Sequence, residues 1–196
     1  MDLVLASTSH TRRTLLRQSG IRHRAFSPDV DESAIRSPDP AQEALLRAGE
    51  KARQVALREP HAVVIGADQV AYDPDRPEVH WGKPGGNAEA IHRLRGSRGR
   101  THALVTGLVV IAKGRETSST VTTHLTVRSD LTDAEIDAYV ATGEGAGCAG
   151  AYAAEGRGVF LFDSIDGDWT NVLGLPIPEL LTHLRRLGWR ANLDWA

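Results

Sequence analysis

Two periods of hydrophobic and polar positions run along this chain, and where they alternate they predict its elements. Leu3-Val4-Leu5-Ala6 is a short apolar strand. A polar loop follows, Ser7-Thr8-Ser9-His10-Thr11-Arg12-Arg13, and then Leu15 and Leu16 at helical spacing. That pattern predicts a helix of about two turns, capped by Ser9 and closed at Gly20. His23 to Ser27 reads as a second short strand and Asp29-Val30-Asp31-Glu32 as an acidic loop. From Pro40 to Arg58, Ala44, Leu45, Ala48, Ala52, Val55 and Ala56 fall on one face of a long amphipathic helix. Lys51 lies in its middle, where a surface position is the ordinary expectation.

The most apolar run is His61-Ala-Val-Val-Ile-Gly-Ala-Asp68-Gln69-Val70. Its β-branched residues predict a strand buried on both faces, with Gly66 and Asp68 marking where it leaves the core. A carboxylate just past a buried strand stands where open α/β sheets place ligands, although an Asp that merely starts a turn is the more ordinary reading of the stretch taken alone. Tyr72 to Pro77 reads as a turn, Gly82 and Pro84 bracket Lys83 in a constrained loop, and a helix is predicted from about Asn87 to Arg95. Thr101–Ile111 and Arg115–Arg128 are two long strands turning at Lys113-Gly114. Thr132 to Glu135 is a capping box that starts another helix. Val159 to Phe162 reads as a strand, and Pro178 to Leu187 as a last helix ended by Gly188. The irregular alternation of strands and helices predicts a mixed rather than a strictly parallel sheet. At 196 residues the whole of 1–196 is expected to form one domain.

Charge and composition narrow the chemistry. The 23 basic and 25 acidic residues give a net charge of −2, which supplies no general field for nucleic acid or an anionic membrane. No apolar stretch approaches the roughly 20 residues needed to span a bilayer, and the first residues carry no secretory pattern. One cysteine, Cys148, excludes an internal disulfide and suits a reducing cytoplasm. Only three of the 23 cations are lysines, Lys51, Lys83 and Lys113, so each is a candidate for a role that needs a compact point charge.

Several chemistries are missing from the sequence. It contains no nucleophile elbow, no Walker-type loop and no pair of histidines at zinc-binding spacing. Gly145-Ala-Gly147-Cys-Ala-Gly150 matches a dinucleotide fingerprint in letters only, because it follows a helix instead of a strand. What remains is Glu32 and Asp68, Lys51 and Lys83, Arg12 and Arg13, and the paired Ser7 and Ser9. This set suits a polyphosphate with a divalent cation: basic groups neutralise phosphate oxygens, carboxylates hold the metal, and one carboxylate can deprotonate water. Ser7, Ser9 and the arginines would converge at a helix N-terminus, a site that favours anions; a capped helix with solvated arginines is the plainer alternative.

In the order of the chain, Leu5-Ala-Ser7-Thr-Ser9-x-x-Arg12-Arg13, Asp29-Val-Asp-Glu32, Lys51-Ala52, Ile65-Gly-Ala-Asp68, Gly82-Lys83-Pro84, Ala149-Gly-Ala-Tyr152 and Val172-Leu-Gly-Leu-Pro176 resemble the Maf family of nucleoside-triphosphate pyrophosphatases. The resemblance runs from about Leu3 to Leu187. It implies an α/β fold, a mixed twisted sheet flanked by helices with two lobes around a deep cleft. It also implies cleavage of a nucleoside triphosphate to the monophosphate and pyrophosphate, with Asp68 as proton acceptor. Arg12, Arg13, Lys51 and Lys83, with Ser7 and Ser9, would grip the triphosphate, and Glu32 and Asp68 would hold Mg²⁺ or Mn²⁺. The family is often dimeric, which makes a second copy of the chain an expected partner.

Asp68-Gln69, Cys148-Ala-Gly and Glu155-Gly-Arg-Gly are similar to the subgroup acting on 7-methyl-GTP, while the pyrimidine subgroup, acting on dTTP and UTP, usually has Thr and Gln in place of Gln69 and Glu155. Thr11 departs from the pattern, since the 7-methyl-GTP subgroup usually carries an aromatic there, and a stacking surface is lost. Glu155 has its own physical rationale: a carboxylate only accepts hydrogen bonds, and the Watson–Crick edge of guanine offers two donors. A nucleotide-binding regulator of cell division whose hydrolysis is incidental is the rival expectation from another class.

Overall fold

The computed structural model describes residues 1–190, so the last six residues of the domain expected over 1–196 lie outside the described residues. Seven strands form one sheet: β1 (Leu3–Ala6), β2 (Arg24–Phe26), β3 (Val63–Asp73), β4 (Arg76–Trp81), β5 (Thr101–Ala112), β6 (Arg115–Val127) and β7 (Phe162–Asp166). Their order is β2-β1-β3-β5-β6-β7, with β4 also paired to β3. β1 is parallel to both β2 and β3, and the remaining pairs are antiparallel. The sheet is therefore mixed, open and flanked by helices, as expected.

Period-two alternation assigns each strand residue to a face, and the helices cover both faces. Leu3, Leu5, Val63, Ile65, Leu108 and Val110 pack on one side with α1 (His10–Gln18) and α6 (Ile177–Arg186). Val4, Ala6, Val64 and Val109 pack on the other with α2 (Pro40–Arg58), which presents Ala48, Ala52 and Val55. The far ends of β3, β5 and β6 form a third cluster with α3 (Asn87–Gly96) and α4 (Asp133–Ala141), through Leu104, Leu125, Leu94 and Ile136. α2 lies unusually close to the sheet. A Cβ at Gly66 would sit 2.2 Å from the Ala48 carbonyl oxygen, and one at Gly107 would sit 2.4 Å from the Ala44 carbonyl carbon, so both positions require glycine for close approach.

One feature of β3 creates the cleft. Its first residues pair with β1 as far as Ile65, and its last residues pair with β4 from Ala71 onward. Between those registers, Gly66 to Val70 are paired on the β5 side alone. Residues of the loops after β1 and β4, Ser7 to Ser9 and Gly82 with Lys83, line the cleft at this gap.

Four expectations need correction. Asp68 does not follow the central strand: it is paired with Gly107 in the middle of an 11-residue strand, because β5 continues the ladder past the point where the apolar run ends. The turn-starting reading of Asp68 is thereby excluded. β4 was not legible, since Arg76-Pro-Glu-Val lacks alternation and is exposed on an edge. The strand expected at Val159 to Phe162 is a 3₁₀ turn over Arg157–Leu161, and β7 begins only at Phe162. A one-turn helix α5 (Trp169–Val172), capped by Asp168, was also missed. The helix ranges for α2, α3, α4 and α6 match expectation to within a residue or two. Among the described residues, no helix is long and apolar enough to cross a membrane.

Candidate active site

A cleft of about 720 Å³ opens at the unpaired edge of β3. Its floor comes from β3 and α2. Because α2 touches the sheet at Gly66, a long side chain one turn away reaches the next residue on the same face of β3: Lys51 Nζ lies 2.5 Å from Asp68 Oδ1. Both residues are buried, at 5 % exposure each. The same Nζ lies 2.7 Å from Glu32 Oε1, delivered by the 3₁₀ turn Glu32–Ala34. The surface position expected for Lys51 is thus overturned by the depth at which α2 packs. Burial pushes the Glu32 carboxyl up, but the Lys51 ammonium, with Arg12 and Arg47, outweighs it and holds the group below its ordinary value.

Arg12 enters from α1. Ser9 caps that helix, its Oγ accepting from the Arg12 backbone N–H at 3.4 Å, while Ser7 Oγ accepts from Ser9 N–H at 3.1 Å. The Arg12 Nε donates to the Gly174 carbonyl at 2.7 Å, which ties α1 to the loop after α5. Burial lowers the pKa of this guanidinium, and the charges of Asp68 and Glu32 oppose the shift. Arg13 takes a different direction: it is exposed and does not line the cleft.

The rim is built from loops and the first turn of α1. Lys83 is exposed at the cleft mouth and makes no hydrogen bond or ion pair among the described residues. Thr11 Oγ1 donates to Glu155 Oε1 at 3.4 Å across the mouth. Gln69 is turned to the sheet face opposite Asp68, where its Nε2 donates to Thr106 Oγ1 at 3.1 Å and to the Asn171 carbonyl at 2.6 Å. Cys148 is half-buried in the wall; burial and Glu155 push its thiol pKa up, with Lys83 opposing, which disfavours a thiolate.

Ten of the eleven residues singled out from sequence therefore line one cleft: Ser7, Ser9, Thr11, Arg12, Glu32, Lys51, Asp68, Gln69, Lys83 and Glu155. Sequence reasoning missed Glu43, Arg47 and His80. Arg47 Nη2 is 2.5 Å from Glu43 Oε1, and its Nη1 is 3.7 Å from Asp68 Oδ2; His80 Nδ1 donates to Glu43 Oε2 at 3.1 Å. A signal was present: Glu43, Arg47 and Lys51 recur every four residues and form one stripe of α2.

Among the described residues no cluster of three metal-ligating side chains occurs. Glu32 and Asp68 are nonetheless both held within 2.7 Å of one cationic nitrogen, and their donors are hard oxygens. That donor set fits a small divalent cation of the Mg²⁺ kind, which takes one or two carboxylates and completes its shell with water and substrate phosphate.

The family model described as Maf-like protein matches residues 2–187. The chain is 40% identical over 190 residues to a protein of Acinetobacter baylyi named nucleoside triphosphate pyrophosphatase, with 95% of each chain covered. It is 42% identical over 178 residues to a 7-methyl-GTP pyrophosphatase of a Polaromonas species, covering 89% of this chain and 80% of that one. A dTTP/UTP pyrophosphatase of a Geobacillus species is 36% identical over 188 residues, covering 96% and 99%.

Proposed function

We infer the reaction from one premise: the chain belongs to the Maf-like protein family. The chain is a nucleoside-triphosphate pyrophosphatase, releasing the monophosphate and pyrophosphate. The observation that carries this reading is the buried Lys51 ammonium shared by Asp68 and Glu32 at the floor of a cleft that also holds Arg12 and Lys83. Relatives named for this activity, matching over nearly the whole chain, support it.

Each side chain then has a role set by its position. Lys51 hydrogen-bonds Asp68 Oδ1, while Oδ2 faces Arg47 at 3.7 Å, beyond hydrogen-bond length. Oδ2 is the oxygen that accepts the proton of the attacking water. Arg12, fixed by the Gly174 carbonyl, faces the phosphates together with the N-terminus of α1. Lys83 reaches in from the rim, and Arg13 acts from outside the cleft as a long-range charge. Glu32 and Asp68 would hold Mg²⁺ or Mn²⁺, which when bound neutralises charge on the phosphate oxygens and the pyrophosphate leaving group.

The base class we propose is guanine, with 7-methyl-GTP preferred. Glu155 stands at the mouth with an acceptor-only carboxylate, and the positive charge of an N7-methylated ring favours a carboxylate neighbour. Its partner Thr11 is a weak hydroxyl donor at 3.4 Å, so the carboxylate is available to a base. A pyrimidine preference is the second reading, favoured by the similarity to proteins named dTTP/UTP pyrophosphatase.

A nucleotide panel with Mg²⁺ and with Mn²⁺, scored for pyrophosphate against orthophosphate, tests both levels. Pyrophosphate from 7-methyl-GTP at the highest kcat/KM is expected. Orthophosphate as the first product overturns the reaction, pyrophosphate with UTP or dTTP as best substrate overturns the base, and the absence of turnover favours a binding regulator.

A further inference from the structure

The last two residues of β4 go to opposite faces of the sheet. His80, paired with Tyr72, faces α2 and bonds Glu43 there. Trp81, paired with Ala71, lies on the other face and packs with the cluster that holds Ala71 and Leu104. Gln69 belongs to this second face too, two residues before Ala71 on β3. The cleft wraps the unpaired edge of β3 and so has two unlike sides. One carries Asp68, Lys51 and Glu43, and the other is an uncharged wall of Trp81, Leu104, Tyr152, Ala154 and Val172.

The phosphate chemistry makes no use of this wall. Apolar side chains stabilise no phosphate oxygen, whereas the flat faces of a nucleobase pack well on an aromatic ring. Trp81 is the largest side chain in the wall. It is half-buried, with its indole against the His102 ring at a centroid distance of 5.1 Å and a tilt of 38°, and the residue also lines the open cleft. His102 is fixed in turn, its Nε2 2.6 Å from the Tyr152 hydroxyl and its ring meeting Tyr152 edge-on at 5.4 Å. An indole backed by buried rings is held in place before any ligand arrives, which lowers the cost of binding.

The wall also reaches the Glu155 carboxylate. Glu155 follows Tyr152 by three residues, and Cys148, in the same lining, feels the charges of both Glu155 and Lys83. We propose that Trp81 is the stacking platform for the base, which lies against the indole with its hydrogen-bond donor edge toward Glu155. A base made cationic by N7-methylation gains most, because an indole face attracts positive charge as the carboxylate does. This rests on the nucleotide reading above and adds Trp81 as the residue that selects for a cationic purine.

Titration with 7-methyl-GMP, with UMP and with inorganic pyrophosphate plus Mg²⁺, read by calorimetry and by tryptophan fluorescence, tests the platform without turnover. Trp81→Leu is expected to weaken 7-methyl-GMP binding about tenfold, to weaken UMP binding less, and to leave pyrophosphate affinity within about twofold. 7-Methyl-GMP is expected to quench the wild-type fluorescence, and Trp81→Phe, which keeps a ring in the wall, to abolish that quenching. Unchanged 7-methyl-GMP affinity in a folded Trp81→Leu overturns the proposal. So does an equal loss for pyrophosphate, which makes Trp81 a structural residue, an equal loss for UMP, which removes the selection for a cationic purine, or a wild-type protein that does not bind 7-methyl-GMP. If Trp81→Leu does not fold, the fluorescence of Trp81→Phe decides, and quenching that persists there overturns the platform. The wild-type product assay judges the reaction separately, since an enzyme that stacks 7-methyl-GMP on Trp81 and releases orthophosphate keeps the platform and loses the pyrophosphatase reading.

Discussion

The floor and the rim of the cleft are built from similar residue types and could hardly differ more in construction. At the floor, Lys51 and Asp68 are each 5 % exposed and come from a helix and a strand whose spacing is set by two glycine contacts. At the rim, Lys83 and Glu155 stand on loops and Thr11 on the first turn of α1, and the one contact between them is 3.4 Å long. A charge at the floor is held by a low dielectric and several partners, whereas a charge at the rim is screened and adjustable. On the proposed function, reaction chemistry is thereby separated from substrate choice.

Substitutions at the floor are expected to act on rate. Asp68→Asn removes the proposed proton acceptor and keeps the shape, and is expected to lower kcat by roughly 10²–10⁴-fold with an unchanged thermal midpoint. Near-normal kcat would reduce the buried pair to a structural ion pair and remove the distinction between floor and rim.

Acid is expected to act on a third place, the aromatic wall between them. His102 is 2 % exposed, its Nε2 lies 2.6 Å from the Tyr152 hydroxyl, and it packs on Trp81 and Phe162. Burial lowers its pKa from 6.5 to about 4, partly opposed by the charge of Asp73. Between those two values the unfolded chain binds more protons than the folded one, so stability rises with pH across this window and is lost as pH falls from 6.5 through 4. The loss is on the order of 3 kcal/mol. Denaturation midpoints measured across that window should show a slope that His102→Phe flattens. An unchanged slope in the variant would place the acid-sensitive group elsewhere.

The smallest effect is expected at the rim. Glu155→Gln should shift the ratio of kcat/KM for 7-methyl-GTP over UTP toward UTP by about tenfold, with total activity on the better substrate largely kept. A fall in activity on both substrates alike would make Glu155 part of the catalytic machinery and not a reader of the base.

Much of this site is readable in one dimension, because local rules suffice for it. Ser9 caps α1, Asp39 and Pro40 start α2, and Thr132 with Glu135 forms the capping box that heads α4, each a backbone requirement met within a few residues. Motif resemblance then collected residues from Ser7 to Glu155 that do line one cleft. Local rules failed where a distant partner set the outcome. Lys51 looked like a surface lysine because a lysine on an amphipathic helix ordinarily faces solvent, and only the Gly66 contact shows how deeply it is buried. β4 exists because β3 offers it an edge, not because its own residues favour a strand.

The sequence by itself determined which segments are helical, where the long antiparallel hairpin turns, and which residue types are available for phosphate chemistry, since capping, periodicity and side-chain chemistry are properties of a few neighbouring residues. Tertiary structure alone decided that β3 is left half-paired between Ile65 and Ala71, that Lys51 joins Asp68 to Glu32, and that Glu43 draws His80 into the same wall. Those outcomes depend on sheet register and on helix-to-sheet distance, which bring together residues as far apart in the chain as Lys51 and Asp68, 17 residues, and Glu43 and His80, 37 residues.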